Sequence, residues 1–150
     1  MDITRVTPNL LVGPAPHDAE EYEELKAERV TAILSLQSEE DLEDRTPADV
    51  RNAAEAAHLV FRNLRVIDFD ALDLQRQLPL CVMALDELVA SGHRVYVHCT
   101  AGVTRSPTVI AAYLHWKLDW PLEKAVNHLH DVRNCNPRGD VIRRCPPVRL

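Results

Sequence analysis

Short apolar runs of strand length alternate with longer helical segments along almost the whole chain. The clearest run, Val30–Leu36, is apolar and rich in β-branched residues, which is typical of a buried strand. Other predicted strands cover residues 9–13, 59–67 and 94–98; predicted helices cover 18–29, 46–57, 74–91, 105–118, 121–133 and 138–144; the acidic segments 38–45 and 68–73 are predicted loops. Strands joined through helices run parallel, because a crossover helix returns the chain to the same end of the sheet. We therefore predict an α/β fold in which helices flank a twisted, mostly parallel sheet.

The length of the chain favours one domain. It has 150 residues, of which 46% are hydrophobic, and this is the size of one compact core. No repeat or linker divides the chain, so we predict a single domain over residues 1–150, with a core at about 3–144 and a tail at 145–150. No apolar run approaches the roughly 18 residues that a membrane helix requires. We expect a monomer that does not bind membranes.

The charge of the chain argues against one class of partner. The formal net charge is −6, and the acidic residues concentrate in the first half, while the second half is mildly basic. Nonspecific binding of nucleic acid depends on a broad basic surface, so nucleic acid is not an expected partner. The basic second half could still hold a small anion such as phosphate.

The spacing of cysteine and histidine predicts neither disulfides nor a metal site. The four cysteines are Cys81, Cys99, Cys135 and Cys145, and no C-x-x-C pair occurs. Cys81 lies in an apolar helical segment and is predicted to be a buried thiol. His128 and His130 stand two apart on one helix, do not share a face and are predicted to lie at the surface. Without a cluster of metal ligands we expect no cofactor. The first residues lack a secretion signal, so we expect a reducing compartment, the cytoplasm.

One segment, residues 97–107, has the composition of a phosphate-binding loop. A strand leads into Cys99, five residues form a tight turn, and Arg105 opens a helix. Successive backbone N–H groups in such a turn can point inward around a tetrahedral anion, and the helix N-terminus adds its positive end. Gly102 permits the unusual backbone angles that the turn requires. The predicted phosphate-binding residues are Thr100, Ala101, Gly102, Val103, Thr104 and Arg105.

The two ends of this loop carry the expected chemistry. The planar guanidinium of Arg105 can hold two phosphate oxygens at once, which a lysine cannot do. A thiolate at Cys99 would lie in the field of the same N–H groups and would attack the bound phosphorus as a nucleophile. The segment therefore predicts phosphoryl chemistry without a metal.

The motif H-C-x5-R-S, from His98 to Ser106, resembles the signature of the cysteine-dependent phosphatases, and its surroundings resemble the dual-specificity branch. Within that branch the sequence is similar to the glucan phosphatases, laforin and the plant starch-excess enzymes. The similar segments are Thr7–Gly13, Asp68-Phe69-Asp70, Leu78-Pro79, Cys99–Val103 and Cys135–Arg138, with Asp140 and Ile142-Arg143. One position departs from the glucan phosphatases, which usually have Gly where this chain has Thr104.

The resemblance implies a phosphomonoester hydrolase that works through a phosphocysteine intermediate. Its expected substrates are proteins phosphorylated on tyrosine, serine or threonine. The alternatives are a phosphoglucan phosphatase, or a catalytically weak domain that only binds phosphate. A shallow cleft is expected as well, because a chain of this length lacks the loops that deepen the pockets of larger tyrosine-specific enzymes.

Cleavage of the phosphate ester needs a general acid to protonate the leaving oxygen. Three aspartates of one loop compete for this role: Asp68, Asp70 and Asp73. Asp68 stands at the distance before the cysteine at which the resembling family carries its acid, and it is the preferred candidate. Asp73 could instead cap the long helix that follows.

Other residues near the motif are given supporting roles. The hydroxyl of Ser106 could hydrogen-bond the departing thiolate, or could cap the helix. His98 is expected to orient the loop through hydrogen bonds rather than to transfer protons. Three aromatic residues are predicted to lie in the core or at helix junctions rather than to bind sugar: Tyr113, Trp116 and Trp120.

Overall fold

The computed structural model describes all residues from 1 to 150. The strands are β1 (Thr4–Thr7), β2 (Leu10–Gly13), β3 (Ala32–Ser35), β4 (Val60–Asn63) and β5 (Val95–His98). The helices are α1 (Ala19–Ala27), α2 (Pro47–Ala56), α3 (Ala71–Ala90), α4 (Arg105–Trp116), α5 (Leu122–Val132) and α6 (Gly139–Arg144), and a 3-10 helix covers Glu39–Leu42. None of the helices combines the length and apolar character needed to cross a membrane.

The five strands form one sheet in the order β1-β2-β5-β3-β4. The central strand β5 is parallel to both of its neighbours, β2 and β3, and β4 is parallel to β3. Only the edge strand β1 is antiparallel. The predicted α/β fold with a mostly parallel sheet is confirmed. Cys99 follows the central strand directly, so it lies at the carboxyl edge of the sheet, where ligands bind in folds of this kind.

Helices cover both faces of the sheet, which explains why the strands are apolar at successive positions. Val95 and Val97 of β5 belong to a cluster of 29 buried residues that includes side chains from α3, α4, α5 and α6. Tyr96, between them, points to the opposite face and joins a cluster of 12 buried residues with side chains from α1 and α2. The strand that leads to Cys99 is thus supported by packing from both sides.

Several predicted boundaries are wrong. β1 was not predicted, and the segment 38–45, predicted to be a loop, contains the 3-10 helix. α3 begins at Ala71, because the side chain of Asp70 accepts a hydrogen bond from the Asp73 N–H at 2.9 Å and caps the helix. Cys145, assigned to the tail, is buried, and its thiol donates to the carbonyl of Gln75.

The remaining predictions for single side chains are mostly confirmed. Cys81 is completely buried, and burial raises the pKa of its thiol to about 12. Tyr113 is buried, and both tryptophans, Trp116 and Trp120, pack against the larger cluster as expected. His128 corrects the prediction of two surface histidines: it is half-buried, and its Nε2 donates to the carbonyl of Val6 at 2.8 Å, which ties α5 to β1. His130 is exposed.

Candidate active site

In the loop from Cys99 to Arg105, the backbone carbonyls have hydrogen-bond partners within the chain and the backbone N–H groups do not. None of the six N–H groups of residues 100–105 donates a hydrogen bond within the chain. All six carbonyls of residues 99–104, by contrast, accept a hydrogen bond from the surrounding structure. The donors are His98 Nδ1, Ala15 N, Arg133 Nη2, Arg133 Nε, Asn136 N and Thr108 N, in the order of the carbonyls they serve. The loop therefore keeps its N–H donors free, which is the arrangement of an anion-binding nest.

Gly102 has the backbone conformation that the sequence predicts for it. Its φ is +70°, in the left-handed region that favours glycine. A Cβ at this position would also lie 2.6 Å from the carbonyl carbon of Gly13. The loop can therefore pass this close to β2 only with glycine at position 102.

Arg133 fixes the loop from outside and was not identified from the sequence. Its side chain is 5% exposed, and it donates from Nε to Gly102 at 2.8 Å and from Nη2 to Ala101 at 3.2 Å. Its Nη1 donates to the carbonyl of Asp2 at 2.7 Å, so the guanidinium joins the loop to the N-terminal segment. Nothing in the local sequence marks Arg133, because its partners lie at distant positions in the chain.

His98 and Ser106 flank the loop as predicted. His98 is buried, and its Nδ1 donates to the Cys99 carbonyl at 2.8 Å. Burial lowers the pKa of His98 to about 4, so the ring is neutral at pH 7 and suits an orienting role. The Ser106 hydroxyl lies 3.3 Å from the Cys99 sulfur. Ser106 does not cap α4, because the N-cap residue is Thr104.

Arg105 is almost completely buried, and both Nη atoms of its guanidinium have partners within the chain. Nη1 donates to Asp41 Oδ2 at 2.8 Å and to the Val66 carbonyl at 2.9 Å, and Nη2 donates to Asp41 Oδ1 at 3.1 Å. Nε is buried without a hydrogen-bond partner. The edge formed by Nε and Nη2 therefore retains Nε as a donor for a ligand.

Asp41, in the 3-10 helix, is a site residue that the sequence prediction missed. Burial alone would raise the pKa of this carboxyl, but hydrogen bonds from Arg105, Ser38 and Thr100 outweigh burial and lower the pKa to about 2. Asp41 is therefore an anion throughout the physiological range. The one local signal in the sequence is the spacing Ser38-x-x-Asp41, a capping box that the structure contains.

The structure separates the three aspartates that compete as general acid. Asp70 caps α3, and Asp73 is buried and accepts from the Ile67 N–H at 2.8 Å. The side chain of Asp68 is 37% exposed, and its Oδ2 lies 3.3 Å from Nη2 of Arg105. Of the three, only Asp68 therefore combines contact with Arg105 and access to solvent.

A cleft of about 300 Å³ opens beside Arg105. Its lining residues come from the Asp68 loop, the phosphate-binding loop and the segment before α6: Ile67, Asp68, Phe69, Asp70, Ala71, Leu74, Thr104, Arg105, Asn136 and Arg138. Phe69 at its rim is fully exposed and has a φ of +58°. A second cavity of about 310 Å³, floored by Leu42, Val50 and Phe61, contains none of the predicted catalytic residues.

The structure brings no three His, Cys, Asp or Glu side chains together as a possible metal site, and all four cysteines are free thiols. The donors that converge at the loop are N–H groups and a guanidinium, which bind anions rather than cations. The arrangement can hold a phosphate group between a nucleophilic thiol and a carboxylic acid.

Comparisons with known proteins agree with this geometry. The family described as dual specificity phosphatase, catalytic domain, matches residues 12–142. The chain is 36% identical to phosphoglucan phosphatase DSP4 of Castanea sativa over 92% of its length, and 32% identical to phosphoglucan phosphatase LSF1 of Arabidopsis thaliana over 91%. It is 34% identical to human dual specificity protein phosphatase 12 over 85% of its length.

The chain spans only 38%, 24% and 35% of these three relatives, respectively. Among solved structures, Tk-PTP in its active form superimposes with a TM-score of 0.77 at 20% identity, covering 94% of this chain and 90% of that one. This likeness shows a shared fold. From the match of the family over most of the chain, we conclude that this protein belongs to the dual specificity phosphatase family.

Proposed function

We propose that the protein is a phosphomonoester hydrolase that acts through a phosphocysteine intermediate. The observation that carries this proposal is that the loop between Cys99 and Arg105 has hydrogen-bonded carbonyls and N–H groups without partners. Six N–H groups and the Arg105 Nε have no partner in the chain, although Arg105 is buried. A buried donor such as Arg105 Nε rarely lacks a partner, because it then carries a desolvation penalty of about 1–3 kcal/mol. A phosphate oxygen satisfies such donors.

The first chemical step transfers the phosphoryl group to the enzyme. The Cys99 thiolate attacks phosphorus, a sulfur–phosphorus bond forms, and the bond from phosphorus to the ester oxygen breaks. Asp68 donates its proton to the departing oxygen, which leaves as an alcohol or phenol. The N–H groups of the loop and the free edge of Arg105 stabilise the charge on the equatorial oxygens during transfer.

The second step releases phosphate. A water molecule attacks phosphorus, the Asp68 carboxylate accepts a proton from it, and the sulfur–phosphorus bond breaks. Ser106, whose Oγ lies 3.3 Å from the sulfur, donates a hydrogen bond to the departing thiolate. Asp68 is then protonated and the thiolate is restored, so the cycle closes without a metal ion or cofactor.

We propose phosphoproteins carrying phosphotyrosine, phosphoserine or phosphothreonine as the main substrates. Support comes from the family and from the cleft beside Arg105, which is lined by the Asp68 loop, the loop after Cys99 and the segment before α6. Phosphoglucan is the second candidate: two relatives are named phosphoglucan phosphatases, and the exposed ring of Phe69 at the rim offers an apolar face to a sugar. A domain that only binds phosphate is disfavoured, because Cys99, Arg105 and Asp68 are all present and suitably placed.

We also propose that the protein works in a reducing compartment such as the cytoplasm. A thiol nucleophile and three further free cysteines support this location.

Replacing the nucleophile tests the proposed chemistry. Cys99→Ser should abolish phosphate release from an aryl phosphate and leave binding of tungstate, a phosphate analogue, within about threefold, because the loop is unchanged. Cys145→Ser is the matched control, since it removes a thiol outside the site and should retain full activity. Activity of Cys99→Ser within tenfold of the unmodified protein would refute the assignment.

Parallel release assays rank the substrates. A phosphotyrosine peptide, a phosphoserine peptide and phosphorylated starch are compared at equal phosphate concentration. The proposal predicts the higher kcat/KM on a phosphopeptide. Faster release from starch than from every peptide would make phosphoglucan the better assignment.

A further inference from the structure

The carboxylate of Asp41 contacts both ends of the phosphate-binding loop. Its Oδ1 accepts from the hydroxyl of Thr100, the first residue after the cysteine, at 2.9 Å. Both carboxylate oxygens accept from the guanidinium of Arg105, the last residue of the loop, at 2.8 and 3.1 Å. One side chain of the 3-10 helix therefore joins the beginning and the end of the loop.

The 3-10 helix holds this carboxylate in a fixed place. The N–H and the hydroxyl of Ser38 both donate to Asp41 Oδ2, at 2.8 and 3.1 Å. Gln37, one residue earlier, donates from Nε2 to the same Thr100 hydroxyl at 3.1 Å. The side chain of Asp41 is only 8% exposed, so its position is set by protein contacts rather than by solvent.

The contact with Arg105 decides which edge of the guanidinium meets the ligand. A guanidinium offers two edges for bidentate binding, one formed by both Nη atoms and one formed by Nε and Nη2. Asp41 occupies the first edge, and the Val66 carbonyl takes a further hydrogen of Nη1. On the second edge, Nη2 lies 3.3 Å from Asp68 Oδ2 and 3.4 Å from the Thr100 hydroxyl, and Nε has no partner. The donor that remains for phosphate is therefore Nε, on the edge that Asp41 does not occupy.

Electrostatics alone would not favour a carboxylate at this position. A fixed anion close to a dianionic ligand repels it, and the repulsion is strongest where water is excluded. A positioning role for Asp41 therefore requires that its geometric benefit exceed this repulsion. A neutral residue here would lower the repulsion and lose the orientation of Arg105.

We propose that Asp41 is a positioning residue that fixes the orientation of Arg105 and of the Thr100 end of the loop for phosphoryl transfer. This inference rests on the proposed phosphatase function. It gives the 3-10 helix a role in orienting Arg105 and the loop, without direct contact with the reacting atoms.

The test compares three variants by the hydrolysis of an aryl phosphate and by tungstate binding in the Cys99→Ser background. Asp41→Asn should lower kcat/KM by about 10- to 100-fold, the effect of losing hydrogen bonds between charged groups. Asp41→Glu, which keeps the carboxylate, should recover at least part of this loss. Glu40→Gln removes the charge of an exposed neighbour in the same 3-10 helix and should stay within twofold of the unmodified protein.

A double variant separates positioning from mere stability. If Asp41 acts through Arg105, Asp41→Asn should change kcat/KM by less than twofold in the Arg105→Ala background. The pH–rate profile of Asp41→Asn should keep its shape, whereas loss of the general acid would flatten its basic limb. Thermal unfolding identifies variants that do not fold. If Asp41→Asn does not fold, Asp41→Glu is compared with the unmodified protein in its place.

The outcomes distinguish the two proposals. Full activity of Asp41→Asn would overturn the positioning role while leaving the phosphatase function intact. An undiminished effect of Asp41→Asn in the Arg105→Ala background would overturn the positioning of Arg105. A protein that binds tungstate without any turnover would overturn the proposed hydrolysis, and weaker tungstate binding by Asp41→Asn would still support the positioning role. If the inactive protein and its Asp41→Asn variant bound tungstate equally well, the positioning role would be overturned.

Discussion

A single methyl group at Gly102 should damage both the stability and the activity of the protein. In Gly102→Ala the new Cβ would lie 2.6 Å from the carbonyl carbon and oxygen of Gly13 and 2.8 Å from Arg133 Nη2, at a φ of +70°. The left-handed conformation costs an alanine about 1 kcal/mol, and displacing the strand backbone adds about 2 kcal/mol. A loss of about 3 kcal/mol in unfolding free energy lowers Tm by about 6–12 °C in a domain of this size.

Gly92 provides the matched control, because it separates backbone strain from contact. Its φ is +90°, yet a Cβ there would meet no atom within 4 Å. Gly92→Ala should therefore lose only about 1 kcal/mol and keep its activity. Gly102→Ala should also lose at least tenfold in kcat/KM on an aryl phosphate, because Arg133 and Gly13 can no longer hold the loop in place.

Thermal unfolding and aryl phosphate turnover of the two variants are measured side by side. Equal losses of stability, together with activity of Gly102→Ala within twofold of the unmodified protein, would refute the reasoning. The close approach of the loop to β2 would then have no energetic importance.

The remaining predictions concern the charged and reactive groups of the site. Asp68→Asn should flatten the basic limb of the pH–rate profile and impair alkyl phosphates more than aryl phosphates, whereas Asp70→Asn should not; the reverse pattern would move the general acid to Asp70. Arg105→Lys should lower kcat/KM by about 100-fold or more, since an ammonium cannot form the bidentate contact. A loss of only about tenfold in kcat/KM would contradict bidentate binding of phosphate by Arg105. Dilute peroxide should inactivate the enzyme, and dithiothreitol should restore it, if Cys99 oxidises to a sulfenic acid; protection by phosphate would place the oxidation at the site. Burial lowers the pKa of His98 from 6.5 to about 4, so between these pH values the unfolded chain binds a proton that the folded chain does not. The free energy of unfolding should therefore fall by about 3 kcal/mol as the pH drops from 6.5 to 4, and urea unfolding of His98→Gln should show a smaller change over the same pH range.

Features that lie close together in the sequence could be predicted without the structure. The apolar runs at β2, β3 and β5 indicated buried strands, since each strand is covered on both faces. Cys99, the glycine and Arg105 occur within one short segment, so their spacing alone indicated the phosphate-binding loop. β1 was missed because it has an intermediate burial pattern, without the apolar run of the central strands.

Features that depend on distant partners could not be predicted in the same way. Asp41 is 64 positions from Arg105, and its segment is acidic enough to suggest an exposed loop. Arg133 is 31 positions from Gly102. Both residues are common surface types, and only the folded chain shows that they are buried against the loop.

The groups that hold the loop from outside explain why the motif alone is not sufficient for the site. A loop of this sequence can point either its N–H groups or its carbonyls inward, because glycine and small residues permit both directions. The direction is decided by the donors that engage the carbonyls, and these come from β5, α4, the segment after β2 and the segment around α5. Each donor that binds a carbonyl outside the loop leaves a neighbouring N–H free inside it. The affinity of the nest for phosphate is therefore a property of the whole domain, and substitutions at Arg133 or Asp41 should change it although neither residue belongs to the motif.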